Sequence, residues 1–326
     1  GGLSAMTPSR TPNDRGAALL SILMIVAVMS VAALTAVDAL GRSLSLAQVS
    51  SQRSQTMWAA HSTESIGAVA IARLLKLDDD ALRLAMKNQQ DITLPFERGV
   101  IQARLSDDSN CFNLNAISAE PGDVATVRLR ALLEAQGMFP SDARALADSL
   151  TDWIDRDTEP RAYGAEDSYY GTLKIPYRAA NTHLENLSEL RAIKGFTPEV
   201  MDAIRSLVCV RPSRSQSALN IETLTEADAP LLMALYSSEL GHEDALSVIR
   251  ARPLSGWQSR DAFLANSRIQ SIAAEARNDT IIGVRPTHLR LTARITSGST
   301  QETLHLVYAS DTTGKAGLIQ RTTGDF

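Results

Sequence analysis

Two cysteines in 326 residues are too few for a disulfide scaffold, and neither belongs to a CxxC pair or a Cys/His cluster of the kind that holds zinc. The five histidines are scattered, so none stands as a ligand or a paired base. Basic charge is also short: 32 Lys and Arg stand against 37 Asp and Glu, a formal net charge of −5. A chain with that balance lacks the cationic surface that neutralises phosphates, which argues against a nucleic-acid binder. Aromatic residues make up only 5% of the chain, but 44% of it is hydrophobic, so a core can form without them. The last shortage is local: from Ala17 to Val37 no residue carries a charge.

Those 21 residues, as a helix rising about 1.5 Å per residue, cover roughly the 30 Å of a bilayer's hydrocarbon core. Arg10 and Arg15 precede the run with only Asp14 against them, which places the N-terminus on the cytoplasmic side and the remainder outside. The far side reads "TAVDALGRS" and continues as helix, unlike an ordinary secretory signal, although Ala36 to Ala39 satisfy a loose small-residue cleavage rule. From Asp38 to Leu77 there is no proline, and Leu44, Val49, Met57, Ala60, Ile66, Val69, Ile71 and Leu74 fall near helical spacing. One helix of about 60 residues is expected, half in lipid and half amphipathic. A polar break, "DDDALRLAMKNQQD", has room for one more short helix.

Beyond it, Val100 and Gln102 alternate with Ile101, Ala103 and Leu105 as in strands, and the pattern returns at Leu289, Leu291, Ala293 and Ile295, then at Leu304, Leu306 and Tyr308. Between these, helical stretches such as "VATVRLRALLEAQG", "SDARALADSLTDWID" and "HEDALSVIRA" follow one another. A helical block is therefore inserted into a β unit. Within it, residues 186–204 and 219–249 form a weak repeat that resembles helix-hairpin-helix units, but Gly195 is followed by Phe196 and Thr197, so the second hairpin glycine of phosphate-binding versions is missing. In an oxidising compartment Cys111 and Cys209 are expected to pair.

One loop concentrates oxygen ligands. Asp152, Asp155, Asp157, Glu159, Glu166 and Asp167 fall within "DWIDRDTEPRAYGAED". Hard cations such as Ca2+ take six to eight oxygens from carboxylates and carbonyls, yet the spacing is not that of an EF-hand. From the residues alone a solvated acidic loop, a cation site and an acid/base carboxylate pair all remain open. Asp152, one helical turn before Asp155 and Arg156, reads equally well as a partner of Arg156.

Together these residues resemble the minor pseudopilin K family of type II secretion systems. "RGAALLSILMIVAVM" is similar to the family's prepilin-type start, which a membrane peptidase cuts after the glycine; here that is Gly16, leaving Ala17 as the new N-terminus. "CFNLNAI", "LADSLTDWIDRDTEPRAYGAEDSYY", "PYRAANTHLENLSELRAIKGFTPEV" and "LNIETL" resemble its interior motifs. Major pilin subunits carry Glu at the fifth mature position; Ser21 stands there, as suits a subunit with no neighbour ahead of it. Mature position one is Ala17 where larger residues are common, and the second repeat is stretched by "TEADAP".

The resemblance implies an α+β pseudopilin fold: a long N-terminal helix and a small antiparallel sheet interrupted by a large all-helical inserted domain. The expected division is a leader at 1–16, a membrane and filament-core helix at 17–37, an amphipathic helix at 38–77, a β domain from 78–118 and 281–326, and the insertion at 119–280. It implies no catalysis, a single-pass inner-membrane location with the C-terminal part in the periplasm, and a place at the pseudopilus tip with pseudopilins I and J. Other pseudopilins, the prepilin peptidase and the inner-membrane assembly platform are further implied partners. It also implies calcium in the helical domain. Asp155, Asp157, Glu159, Glu166 and Asp167 are the expected ligands, since five carboxylates in so short a stretch repel one another unless a cation neutralises them. Two other readings remain open: a signal-anchored periplasmic enzyme and a membrane-tethered DNA-uptake protein.

Overall fold

The structure is a computed structural model that describes residues 13–87, 91–97, 99–118, 124–237, 239–274, 277, 279–310 and 315–324. Helix α1 runs unbroken over Asn13–Leu74. No proline interrupts it, and its hydroxyl side chains return their hydrogen bonds to the helix: Ser30 Oγ donates to the Val26 carbonyl at 2.8 Å and Thr63 Oγ1 to that of Ala59 at 2.8 Å. Polar residues thereby sit in an apolar helix without orphaned donors. Over Leu19–Leu74 it is long and apolar enough to cross a membrane, and none of its most apolar segment is buried among the described residues.

The C-terminal half of α1 packs on a five-stranded antiparallel sheet. After the short helix α2 (Asp79–Lys87) come β1 (Ile92–Phe96) and β2 (Gly99–Asp107), and the sheet is completed 180 residues later by β7 (His288–Ser297), β8 (Thr300–Ser310) and β9 (Ala316–Thr323), in the order β1-β2-β7-β8-β9. Period-two alternation puts Leu289, Leu291, Ala293 and Ile295 of β7, with Leu304, Leu306 and Tyr308 of β8, on one face, where they pack with Ala59, Ala60 and Ile71 of α1. The approach is close. A Cβ on Gly67 would lie 2.5 Å from a methyl of Leu291, and the Tyr308 hydroxyl donates to the Glu64 carbonyl at 2.9 Å.

Everything between β2 and β7 forms a second, separate core. It contains β3 (Phe112–Asn113), α3 (Val124–Ala135), α4 (Pro140–Ile154), α5 (Asp167–Tyr170), α6 (Pro198–Ile204), β4 (Val208–Cys209), β5 (Leu219–Asn220), α7 (Ala229–Leu235), α8 (His242–Arg250), α9 (Arg260–Leu264), α10 (Ser267–Gln270) and β6 (Ile282–Gly283). The strands in it are two-residue parallel pairs, β3 with β4 and β5 with β6, too short to carry an alternation signal in sequence. Both members of the weak repeat are present in altered form. The first begins with a 3-10 turn at Leu187–Ala192, capped by Asn186 with Glu189, and passes Gly195 at φ +88° into α6; the second pairs α7 with α8 across Gly241. Strand β9, which forms one sheet edge, carries no alternation signal in sequence, because Gly317 and Gln320 break the pattern, and a register shift lies opposite it at Val307/Tyr308.

Chain entry and exit of this block meet at one place. The Asp108 amide donates to the His288 carbonyl at 3.0 Å, and the Thr287 amide to Ser109 Oγ at 2.9 Å. Asp108 is clasped there by two guanidinium groups, those of Arg211 and of Arg290, the latter at 2.7 Å. Burial raises the Asp108 pKa, but the two arginines overcome it and hold the carboxyl below its ordinary range. Beside this clasp Cys111 and Cys209 form a disulfide, with Cα atoms 5.7 Å apart and 98 residues of chain enclosed. A loop of that size stabilises by about 4–5 kcal/mol in the chain-entropy model. The Cys111→Ala/Cys209→Ala double variant is expected to lose stability of that order in denaturant titration. Gly67→Val is expected to cost about 1–3 kcal/mol by forcing α1 away from Leu291, read by the same titration.

Candidate metal centre

Helix α4 ends where its last turn meets the acidic loop. Its amphipathic pattern buries Leu146, Ala147, Leu150, Trp153 and Ile154, and the same turn carries Asp152 inward. Asp155 is its C-cap, and the loop returns at Glu166, the N-cap position of α5. Aromatic packing fixes both ends: Trp153 meets Tyr170 edge-on at 5.2 Å between centroids, and Tyr170 stacks on Tyr177 at 5.2 Å. Across the loop, Lys194 Nζ donates to the Gly164 carbonyl at 3.0 Å and lies over the Tyr169 ring, while the Arg144 guanidinium lies over Tyr163.

Held in this way, Asp155, Asp157 and Glu166 each bring a carboxylate oxygen within 4.8 Å of the others. Glu166 is only 2% exposed, and both its oxygens are buried without a hydrogen-bond partner among the described residues; Asp155 Oδ1 is buried and unpartnered among them as well. Burial raises the Glu166 pKa to about 7, with Asp152, Asp155, Asp157 and Asp167 adding to the rise. Asp155 is raised by burial and then by Asp157. A buried carboxylate with no donor and like charges around it is costly unless something positive reaches it. The donor set is all oxygen, the chemistry of a hard cation, so Asp155, Asp157 and Glu166 fit a Ca2+-type ion.

The other two expected ligands are not brought to the group. Asp167 turns away: its Oδ1 accepts from the Ala179 amide at 2.9 Å and Oδ2 lies 3.8 Å from Arg178. Glu159 is exposed, and only its backbone amide joins the loop, donating to Asp157 Oδ1 at 3.0 Å. Asp152 is not the partner of Arg156. It is fully buried and accepts from the Arg161 amide at 3.1 and 3.2 Å, with the Arg161 guanidinium at 4.0 Å. Its pKa is raised to about 6, by burial first and then by Asp155. A Cβ at position 164 would overlap the Asp152 carboxylate, so the loop closes over it only because Gly164 has none. The signal for Asp152 was its place on the buried stripe of α4, which the nearer Arg156 obscured. Of the remaining expected site residues, Gly16 and Ala17 lie in the first turns of α1, and residues 1–12 lie outside the described part.

Two family models match the chain, both described as type II secretion system protein K, over residues 110–213 and 219–285. The protein K of Pectobacterium carotovorum is 33% identical over 260 residues, which cover 77% of this chain and 79% of that one. The chain belongs to the type II secretion system protein K family. The protein K of Aeromonas hydrophila is 29% identical over 95% of this chain and 97% of its own. Among solved structures, a chain of the GspK-GspI-GspJ complex of the enterotoxigenic Escherichia coli type 2 secretion system matches with a TM-score of 0.69 and 26% identity, covering 86% of this chain and 99% of that one. The K-family protein described here is thus a minor pseudopilin of type II secretion, with the α+β fold of its family. Its acidic loop lies inside the first matched region.

The raised pKa values set the pH response. Glu166 and Asp152 hold protons more tightly folded than unfolded, so without a cation stability falls as pH rises from about 4 toward 7. For Glu166 the loss amounts to about 2–3 kcal/mol. The expected outcome for the EDTA-treated protein is a melting temperature that declines across that window, with millimolar calcium restoring it at pH 7.5. Glu166→Gln is expected to raise the melting temperature in EDTA at pH 7.5 and to abolish most of the calcium response, two opposite shifts read in one thermal scan.

Proposed function

We propose that this minor pseudopilin is anchored by α1 in the bacterial inner membrane, with the sheet and the helical block in the periplasm, and that it moves from there to the tip of the pseudopilus. The observation that carries this reading is the unbroken α1. Its apolar first half is uncovered among the described residues, whereas its second half is packed on the sheet. A helix of that kind is stable in lipid and, once removed from lipid, only against other apolar helices. Assembly therefore exchanges lipid for protein around the same side chains, and no catalytic step is required of the chain.

The partners are pseudopilins I and J, supported by the likeness to a chain of a K–I–J complex, together with other pseudopilins and the inner-membrane assembly platform. Placement at the tip follows from bulk. The helical block stands outside the α1–sheet unit, and a subunit so widened fits at an end of a filament more readily than within its shaft. The prepilin peptidase removes the leader after Gly16, where the absent side chain lets the backbone enter a narrow site. A calcium ion at Asp155, Asp157 and Glu166 supplies the positive charge that lets the buried loop stay ionised and folded. Asp152, Gly164 and Lys194 supply the loop's remaining contacts.

Coexpression with a prepilin peptidase and the I and J subunits of one secretion system tests this reading. Mass spectrometry is expected to find Ala17 as the N-terminus, with Gly16→Val retaining the leader, and the membrane-extracted chain is expected to copurify with I and J. A retained leader in the wild type, or no association with either subunit, would reject it.

A further inference from the structure

The two sulfurs of the Cys111–Cys209 disulfide have unequal electrostatic surroundings. Arg211, two residues after Cys209, is 1% exposed, and its Nη2 donates to the Asp108 carbonyl at 2.7 Å, to the Asp108 carboxylate and to Cys111 Sγ at 3.5 Å. Among the described residues, Nε and Nη1 of the same guanidinium have no acceptor, and no donor reaches Cys209 Sγ. One sulfur faces a buried cation and the other does not. Solvent access does not separate them, since Cys111 is 9% and Cys209 8% exposed.

The positive charge is only partly answered by its neighbours. Asp108 is shared between Arg211 and Arg290, one carboxylate for two guanidinium groups. Asp107 turns elsewhere: its Oδ1 accepts from the Ser109 hydroxyl at 2.6 Å, and its Oδ2 from Asn220 Nδ2 at 2.7 Å and Thr223 Oγ1 at 2.6 Å. His288 adds no charge at neutral pH, because burial first and then Arg211 push its pKa down to about 4 against the pull of Asp108. A buried guanidinium with spare donors and less than a whole counter-charge is unfavourable, and a neutral sulfur is a weak acceptor for it. A thiolate at Cys111 would be a charged acceptor in the same place.

From this we infer that the bond is a polarised thiol–disulfide exchange site: Cys209 is the sulfur that an incoming thiolate attacks, and Cys111 is the sulfur that departs as thiolate, held by Arg211. In the first step a bond forms between the reductant's sulfur and Cys209 Sγ while the Cys111–Cys209 bond breaks, and the electron pair leaves on Cys111 Sγ. A second reductant thiolate then attacks the reductant's sulfur in this mixed disulfide and expels Cys209, which takes a proton from water. Two reductant thiols have become a disulfide, and their two electrons rest on the two cysteines. Closure by a disulfide oxidant runs through the same states in reverse, with the Cys111 thiolate attacking a mixed disulfide on Cys209. The direction follows from two general rules: an adjacent guanidinium favours the thiolate, and in exchange the sulfur that holds its proton more weakly leaves faster.

Limited reduction of the full-length, detergent-extracted protein tests the assignment, with reduced glutathione as the probe. After acid quenching and blocking of free thiols, peptide mapping by mass spectrometry is expected to find glutathione on Cys209 at least about tenfold more often than on Cys111. Arg211→Met is expected to bring that ratio close to one, whereas Arg211→Lys, which keeps the charge, is expected to retain the preference. Arg290→Gln, which leaves Asp108 to Arg211 alone and spares the guanidinium beside the sulfur, is expected to lower the ratio several-fold. The wild-type ratio decides the direction of opening without any variant having to fold, and the Arg290 variant tests the cause even where Arg211→Met does not fold. A wild-type ratio near one or in favour of Cys111 would overturn the inference, as would the absence of an adduct on either cysteine at roughly hundredfold excess of glutathione. A preference for Cys209 that Arg211→Met or Arg290→Gln leaves unchanged would refute the role of the guanidinium.

Discussion

A single helix has to be at home in two surroundings, and the remainder of the molecule is arranged around that requirement. The first half of α1 presents apolar side chains in every direction, as hydrocarbon demands, whereas the second buries one stripe against the sheet and leaves Met57, Trp58, Ile66 and Val69 exposed on its other sides. The junction between the two regimes is not a hinge. No proline interrupts the ladder of backbone hydrogen bonds, and the rod is continuous over Asn13–Leu74.

Charge is handled in two opposite ways elsewhere. At the doorway of the helical block Asp108 is answered within the chain, by Arg211 and Arg290, and its ionised form is favoured. In the acidic loop Asp155 and Glu166 are gathered beside Asp157 with no hydrogen-bond donor among the described residues on Asp155 Oδ1 or on either Glu166 oxygen, and the protonated form of these two is favoured. The first site is complete in itself. The second is half of an interaction, and the aromatic packing of Trp153, Tyr170 and Tyr177 holds it in that condition against its own repulsion.

Periodicity made the elements with strong patterns readable. The long helix followed from an uncharged run joined to a proline-free amphipathic stretch, and β2, β7 and β8 from strict alternation. Strand β9 did not follow, since its glycine and bulge spoil the alternation, and the two-residue strands are held by tertiary contacts and have no period to detect. At the loop, composition pointed to the right carboxylates in general, but it cannot say which way each points. Asp167 was lost to the Ala179 amide and Glu159 to solvent, choices made by the backbone path around Pro160 and Gly164. Asp152 was misjudged because its decisive partner, the Arg161 amide, lies nine residues away, across the turn.

The doorway has a mechanical meaning. Force applied along α1 enters the sheet through the contacts of the helix with β7 and β8, and the helical block is fastened to that unit at two points: the crossing at Asp108, Cys111, Cys209 and His288, and the end of α1, where Arg285 donates to the Leu75 carbonyl at 2.8 Å and Arg83 of α2 faces Glu222 at 3.9 Å. A body held at two separated points turns with the rod that carries it, so the orientation of the acidic loop is fixed by the orientation of α1.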